Sequence, residues 1–552
     1  MTSKKTFNFS HRGLSPWEYA LERFFQILPG FLSWAILISV TVLSFTRPLE
    51  AAIVVIAYEI FWLFRLFYMT LFMVLAYGVL EIEKGTDWIE RCRSLEMPEK
   101  SLPHLQEKIK ALRKLKTLRE WFSCKNQERE AKEILRQKVT VPAFDSLYHL
   151  VIIAVANEGR KVVEPNLRAL QHSQFPCGRI VPVLAVEERA GTGQREMAEA
   201  LQKEYRSSFF DLLVVIHPEG IDGEARVKGA NVACAAKRAA AFFEERKIDF
   251  ERVIISCFDA DTVAGPEYFA ALTYHFMRHP NRLRASYQPI PVYHNNIWEA
   301  PGFARVLEMG SSFFQLIEAT NPEKLVTFSS HSMSFKALVE VGYWPVDMIS
   351  DDSAIFWKAL IHYGGDYRVI PMYITLSMDV AMAGSYWKTL INVYRQKRRW
   401  AWGVENFPIV MRGFLQDKRI SFLNKLRYAS KLLGMHVSWA TVGFLISIIG
   451  WLPAFFAGRE FSSSILYYNS PRITALIFNL ALAALIVTII LAHLLLPKGK
   501  PPNPLLKRFW FALEWLLVPV VFTFLSTLPA LDAQTRLMRG QTLEFKVTEK
   551  KR

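Results

Sequence analysis

The sequence lacks the patterns that carry several common chemistries. It has five cysteines in 552 residues, Cys92, Cys124, Cys177, Cys234 and Cys257, and no two form a C-x-x-C pair. That excludes a disulfide-stapled scaffold and reads as free thiols in a reducing compartment. No H-E-x-x-H and no His/Cys cluster is present, so no zinc site is expected. No G-x-x-x-x-G-K-[ST] loop occurs, and GTGQRE at 191–196 has neither that spacing nor a dinucleotide fingerprint. The N-terminus has no small-residue cleavage site after its first apolar run, which excludes a cleavable secretory signal. Acid is in deficit: 51 Asp and Glu against 67 Lys and Arg, a net charge of +16.

Apolar sequence is abundant. Hydrophobic residues make up 51% of the chain and the mean hydropathy is +0.14. Two apolar stretches lie at roughly 24–45 and 49–80 and three more at roughly 432–457, 473–496 and 509–531, each about the length that crosses a bilayer as a helix. The basic residues crowd their ends. Lys4, Lys5, Arg12 and Arg23 precede the first stretch. Arg412, Lys418, Arg419, Lys425, Arg427 and Lys431 precede the third, and Lys498, Lys500, Lys507 and Arg508 separate the fourth from the fifth. This positive-inside pattern assigns the excess charge to the cytosolic face and anionic lipid, with no nucleic-acid partner. It makes an integral, multi-pass protein of the plasma or inner membrane with its large middle region in the cytoplasm. Five spans would leave the tail outside, yet Arg536, Arg539, Lys546, Lys550, Lys551 and Arg552 argue for inside. Pro519 and Pro529 make the last stretch the candidate for a tilted or re-entrant segment. Glu59 and Arg65, inside the second stretch, are expected to snorkel, to pair or to line a polar path.

Residues 84 to about 139 are charged with a helical apolar rhythm, Leu105, Ile109, Leu112, Leu115 and Leu118, which predicts helices linking membrane to domain. From about 146 the texture alternates. Strands are predicted at YHLVIIAV, RIVPVLAV, DLLVVIH and ERVIISCFD, with helices over Val162–Gln171, Gln194–Ser207 and Gly229–Lys247. Strand alternating with helix predicts a parallel sheet covered on both faces. Ligands of such sheets bind beyond the strands' carboxyl ends. The turns NEG, EER, HPEG and DADT all lie there and would meet in one cleft.

Four constellations in this region could carry chemistry. Asp259 and Asp261 end a buried strand one residue apart, where their charges repel unless a cation lies between them. Mg²⁺ or Mn²⁺ takes one or two carboxylates plus phosphate oxygens, so the pair suits a metal–diphosphate site. SDDSAIFWKAL opens at 350 as an ordinary capped helix with acids in its first turn. It also offers Asp352 as a general base tuned by Asp351. In YRQKRRWAWG, Gln396, Arg399 and Gly403 share a helix face with Trp400 beside them, an Arg fork for a diphosphate and an aromatic plate for a sugar. The same stretch would serve as a basic juxtamembrane helix. Lys228, before Gly229 at a helix start, suits phosphate or is a solvated lysine.

In order, VANEG, EER, KGAN, DADT, SDD and QKRRW between apolar stretches resemble the membrane-bound family 2 glycosyltransferases, the group of cellulose, hyaluronan and chitin synthases. Q-x-x-R-W is intact in Gln396, Arg399 and Trp400, and D-x-D in Asp259 and Asp261. The family's E-D appears as Asp351 and Asp352. Two turns depart from its pattern: Val155, Ala156, Asn157 and Glu158 replace its first, and Glu187 and Glu188 replace a pair of aspartates. The resemblance implies an α/β GT-A domain, Rossmann-like, inserted between transmembrane helices, and an inverting transfer from a nucleotide-diphosphate sugar to a polysaccharide or lipid-linked acceptor. It implies Mg²⁺ or Mn²⁺ on Asp259 and Asp261. Asn157, Glu158, Glu188, Lys228, Asp259, Gln396 and Arg399 would hold the donor, and Trp400 and His331 the acceptor. Asp352, beside Asp351, would be the base. The expected organisation is a tail and two spans over 1–83, a linker over 84–145, the transferase over 146–403, an interfacial segment over 404–431, about three spans over 432–531 and a basic tail over 532–552. The rivals are a non-processive glycolipid transferase, a regulated transporter and an inactive carbohydrate-binding scaffold. Accessory subunits are unspecified.

Overall fold

The computed structural model describes residues 7–115, 118–456, 465–497 and 504–544. Its centre is an eight-stranded sheet in the order β3-β2-β1-β4-β7-β6-β8-β5. The first four strands are β1 (Tyr148–Val155), β2 (Ile180–Glu187), β3 (Leu213–His217) and β4 (Val253–Asp259), and the last four are β5 (Val263–Ala264), β6 (Ala285–Val292), β7 (Ser332–Ser334) and β8 (Arg368–Ser377). The first four pair in parallel, as their near-continuous apolar runs predict, and β2 is buried at every position. The intervening helices Arg160–Gln171, Thr192–Tyr205 and Lys228–Glu245 fall where the sequence puts them. Their apolar faces and the sheet form two hydrophobic clusters, one on each side.

The second half of the sheet, where no strands are predicted from the sequence, is mixed, with β6 parallel to β8. β7 runs antiparallel to both β4 and β6, and β5 antiparallel to β8. β7 is Ser-Met-Ser, three residues with no apolar run, so its sequence carries no strand signal even though all three are buried. Strand β1 sits between β2 and β4, so the chain reverses its order of strand addition there and opens a crevice at the carboxyl ends of β1 and β4.

The linker forms helices Trp88–Glu96, Pro98–Leu115 and Leu118–Gln137. It docks through buried charge. Arg91 donates to Glu83 at 2.7 Å and Glu130 at 3.0 Å, and Glu130 also accepts from Tyr274 and Arg278 of the sheet domain.

Among the described residues, three helices are long and apolar enough to cross a membrane: Pro16–Thr46, Pro48–Glu83 and Leu506–Met538. A fourth is Phe422–Ser447 with Ile449–Phe455, bent by 43° at the break. The bend falls in the third apolar stretch, while Pro519 and Pro529 in the last stand in the first turns of helical segments, where a missing N–H costs little. The fourth stretch lies in the helix Ile465–Leu495. Lys4, Lys5, Lys498, Lys500, Lys546, Lys550, Lys551 and Arg552 lie outside the described residues. Arg65 is exposed and stacks over Trp62, while Glu59 lies beside Gly450.

Arg412 was expected among the lipid-facing basic residues, and the structure corrects this. It is fully buried, donating to Glu22 at 2.9 Å and to the carbonyls of Asn8 and Ser10 at 3.0 and 2.8 Å. The pre-helical segment supplies these acceptors, so a charge that reads as juxtamembrane becomes an internal tie.

Candidate active site

The carboxyl end of β4 meets the helix starting at Lys228 and the helix starting at Asp351. The Lys228 ammonium lies 2.8 Å from Asp259 Oδ1 and 3.0 Å from Asp352 Oδ1. Burial alone would lower its pKa, but the two carboxylates outweigh that and raise it, so Lys228 is a fixed cation. The charge that separates these aspartates is thus the protein's own. Ser329 donates to Asp259 Oδ2 at 2.6 Å.

Asp261 lies deeper than Asp259. It is fully buried, and its Oδ2 accepts from the backbone N–H of Asp379 at 2.8 Å. Asn295 donates to the Asp261 carbonyl at 3.0 Å and to Asp379 Oδ1 at 2.8 Å. Asp379 follows β8 as Asp259 ends β4, and the alternating burial of β8 was the available signal. Ser330 has φ of 61°, strained for a residue with a Cβ, and its hydroxyl pairs with Thr262 Oγ1 at 2.9 Å.

Asp351 is buried and Asp352 partly exposed, so of the two only Asp352 faces the cleft. Burial first and repulsion from Asp352 second hold the Asp351 carboxyl well above its usual range. Gly229 is required here. A Cβ on it would stand 2.3 Å from the Pro345 carbonyl oxygen and 3.1 Å from Asp351 Cβ. Its close approach serves the packing of the Asp351 helix against the Lys228 helix. His331 is fully buried, with Nδ1 3.0 Å from the Phe328 carbonyl and 3.8 Å from Asp352 Oδ1. Burial lowers its pKa, so the ring is neutral behind the acid.

The helix Tyr386–Ala401 carries Gln396, Arg399 and Trp400. Gln396 is buried and Arg399 partly exposed. Lys397 stands 3.8 Å from the Trp400 ring centroid and donates to Glu308 at 3.0 Å, a pair 3% and 0% exposed. Arg398 donates to Asp532 at 2.9 Å, and Asp532 also accepts from Arg536, which ties this helix to the last apolar one.

Just beyond, Glu405 accepts from Ser350 and from the indole N–H of Trp402 at 2.8 Å. Asn406 donates to the hydroxyls of Ser350 and Ser353 at 2.9 and 3.0 Å. Sequence reasoning missed this network, since an acid three residues past Trp402 has no local pattern.

The β1 and β2 turns form the far wall. Asn157 is exposed, and Glu158 accepts from the N–H of Ala156 at 2.7 Å. Glu188 accepts from the N–H of Glu219 at 2.9 Å, and Glu187 pairs with Arg189. Between the β2 turn, through Glu187 and Arg189, and the 217–227 loop is a cavity of about 130 Å³.

Residues 254–525 match the family model of glycosyl transferase family group 2. Over that span the chain is similar to the family. It has no match among curated proteins. Solved structures similar to it include a mannosyltransferase from Pyrobaculum calidifontis in complex with GDP-Man and Mn²⁺, with 15% identity, 77% of this chain and 99% of that one covered, and a TM-score of 0.37. Another is S. aureus TarS 1-349 in complex with UDP-GlcNAc, with 12% identity, coverage of 72% and 94%, and a TM-score of 0.35. The mixed α/β sheet is flanked by apolar helices at both ends.

Proposed function

We propose that the chain is a membrane-embedded inverting glycosyltransferase that moves a sugar from a nucleotide diphosphate to a growing polysaccharide or lipid-linked acceptor, with its catalytic domain on the cytosolic face. The observation that carries this is Lys228 bridging Asp259 and Asp352 at the carboxyl ends of the strands, where a fixed cation and a base meet. The transferase spans 146–403. The regions 1–83 and 432–531 hold the spans, 84–145 links, 404–431 lies at the interface and 532–552 is the tail.

Among the described residues no three His, Cys, Asp or Glu side chains cluster to hold an ion. Two carboxylates suffice when diphosphate supplies the other oxygens. Asp259 at the cleft and Asp261 behind it would hold Mg²⁺ or Mn²⁺, Asp261 through Oδ1 because its Oδ2 is held by the Asp379 N–H; the ion would neutralise charge on the donor diphosphate. Lys228 and Arg399 bind the departing diphosphate and stabilise the charge that grows on it. Gln396, Asn157, Glu158 and Glu188 hold the donor. Asp352 takes the proton of the acceptor hydroxyl as that oxygen bonds to the anomeric carbon, while the bond to diphosphate breaks on the opposite face. Asp351 backs this acid from the interior, and His331 walls the acceptor side. Trp400, with Lys397 on one face, offers the acceptor its other face.

The test is purification in detergent and a panel of nucleotide sugars with Mg²⁺ or Mn²⁺, reading release of nucleoside diphosphate. We expect release with one donor and none with chelator or with Asp352→Asn, which should still bind that donor. Normal turnover by Asp352→Asn would refute the assignment. Sizing the product separates polymer from glycolipid.

A further inference from the structure

A second cavity, of about 150 Å³, lies outside the cleft, where the loop after β6 meets the first turns of the helix Leu506–Met538. It is lined by Trp298, Ala300, Arg305, Lys507, Trp510 and Phe511. Arg305 is locked in place, donating to Glu514 Oε2 at 2.9 Å and to the carbonyls of Ile297 and Trp298 at 3.2 and 3.4 Å. Lys507 has no carboxylate partner among the described residues. The indole N–H of Trp298 is buried and has no acceptor among them. A buried donor without an acceptor is rare in native structures, and the residue that carries this one lines the cavity beside Lys507. The neighbouring Leu506, Phe509, Trp510 and Leu513 are exposed at the start of an apolar helix, as expected of residues at a membrane–water boundary.

We propose that this cavity binds the phosphate of an anionic membrane phospholipid. Lys507 and Trp298 Nε1 are its donors, and Trp510 and Phe511 pack on the glycerol and first acyl carbons. The exposed apolar residues beside it favour a lipid over a free anion. Trp298 follows Asn295 and Asn296, which hold Asp261, Asp379 and Val380, so an occupied cavity steadies a segment that reaches the cleft.

The test is native mass spectrometry of the full chain in detergent, titrated with phosphatidylglycerol or phosphatidylcholine. One phosphatidylglycerol is expected to remain bound where phosphatidylcholine does not. Lys507→Glu should weaken that binding by about tenfold or more, and Trp298→Phe, which keeps a ring but removes the donor, by roughly three- to tenfold. Lys418→Glu makes the same charge change at an exposed site and should leave it intact. Equal loss in Lys507→Glu and Lys418→Glu would reduce the effect to diffuse attraction and overturn the site. Displacement of the lipid by millimolar inorganic phosphate would overturn the lipid assignment. If Lys507→Glu fails to fold, Lys507→Gln and Trp298→Phe decide. Lipid retention is read without turnover, so its failure is separate from failure of the transferase reading.

Discussion

Ser350 gives both its backbone N–H and its hydroxyl to one oxygen of Glu405, at 2.8 and 2.7 Å. Ser350 precedes the helix whose first turn carries Asp351 and Asp352. Glu405 therefore fixes where Asp352 points without touching the cleft. Glu405→Gln places an amide among donors, and leaving buried donors unmet costs about 1–3 kcal/mol. We expect kcat to fall roughly tenfold or more with donor affinity nearly unchanged, and Glu405→Asp to recover part of it. Steady-state kinetics beside donor calorimetry checks this. Equal losses in binding and turnover would point to a general structural role.

Lys228→Met should weaken donor binding and turnover together, because it removes a fixed cation from two carboxylates. Charge-assisted hydrogen bonds contribute about 1.5–3 kcal/mol, roughly a 10- to 100-fold loss in kcat/KM. Higher divalent metal should recover part of the binding, since Asp259 is then left without its ammonium. Titration of donor at several metal concentrations measures both effects.

Asp351 links stability to pH. Its carboxyl is raised above the ordinary 3.8 by burial first and Asp352 second, so the folded state holds this proton more tightly than the unfolded chain. The associated stability is complete below pH 3.8 and is lost as pH rises through the raised value. Asp351→Asn removes this dependence. Across neutral to alkaline pH its melting temperature should fall less than that of the wild type, read by thermal unfolding in detergent.

Lys397 and Glu308 form a pair with almost no exposure. Removing one partner leaves a buried charge, so Lys397→Met should cost about 3–5 kcal/mol. The double variant Lys397→Met with Glu308→Leu should regain most of that. Denaturant melts of the two singles and the double give the coupling directly.

The parallel half of the sheet is legible in the sequence because its strands are buried on both faces and read as apolar runs closed by polar turns. β7 is not legible, because its three residues are held by neighbours and not by their own hydrophobicity. At the site, Asp259 and Asp352 stand out as acids at element ends, and Lys228 as a cation at a helix start. That Lys228 joins both acids is invisible at separations of 31 and 124 residues. Ser329, Asp379 and Glu405 were missed for the same reason: each matters through a contact across the fold. Arg412 misled because its charge resembles its juxtamembrane neighbours, while its acceptors lie near the other end of the chain.

That tie has a consequence for biogenesis. Asn8 leaves the ribosome 404 positions before the arginine that captures its carbonyl. At roughly 5–20 residues per second, Arg412 follows about 20–80 s later. Both N-terminal apolar helices and the whole sheet are made before the leading segment finds its place. Docking of residues 8–12 is thus among the last steps of assembly, closing the ring between the first apolar helix and the finished sheet domain.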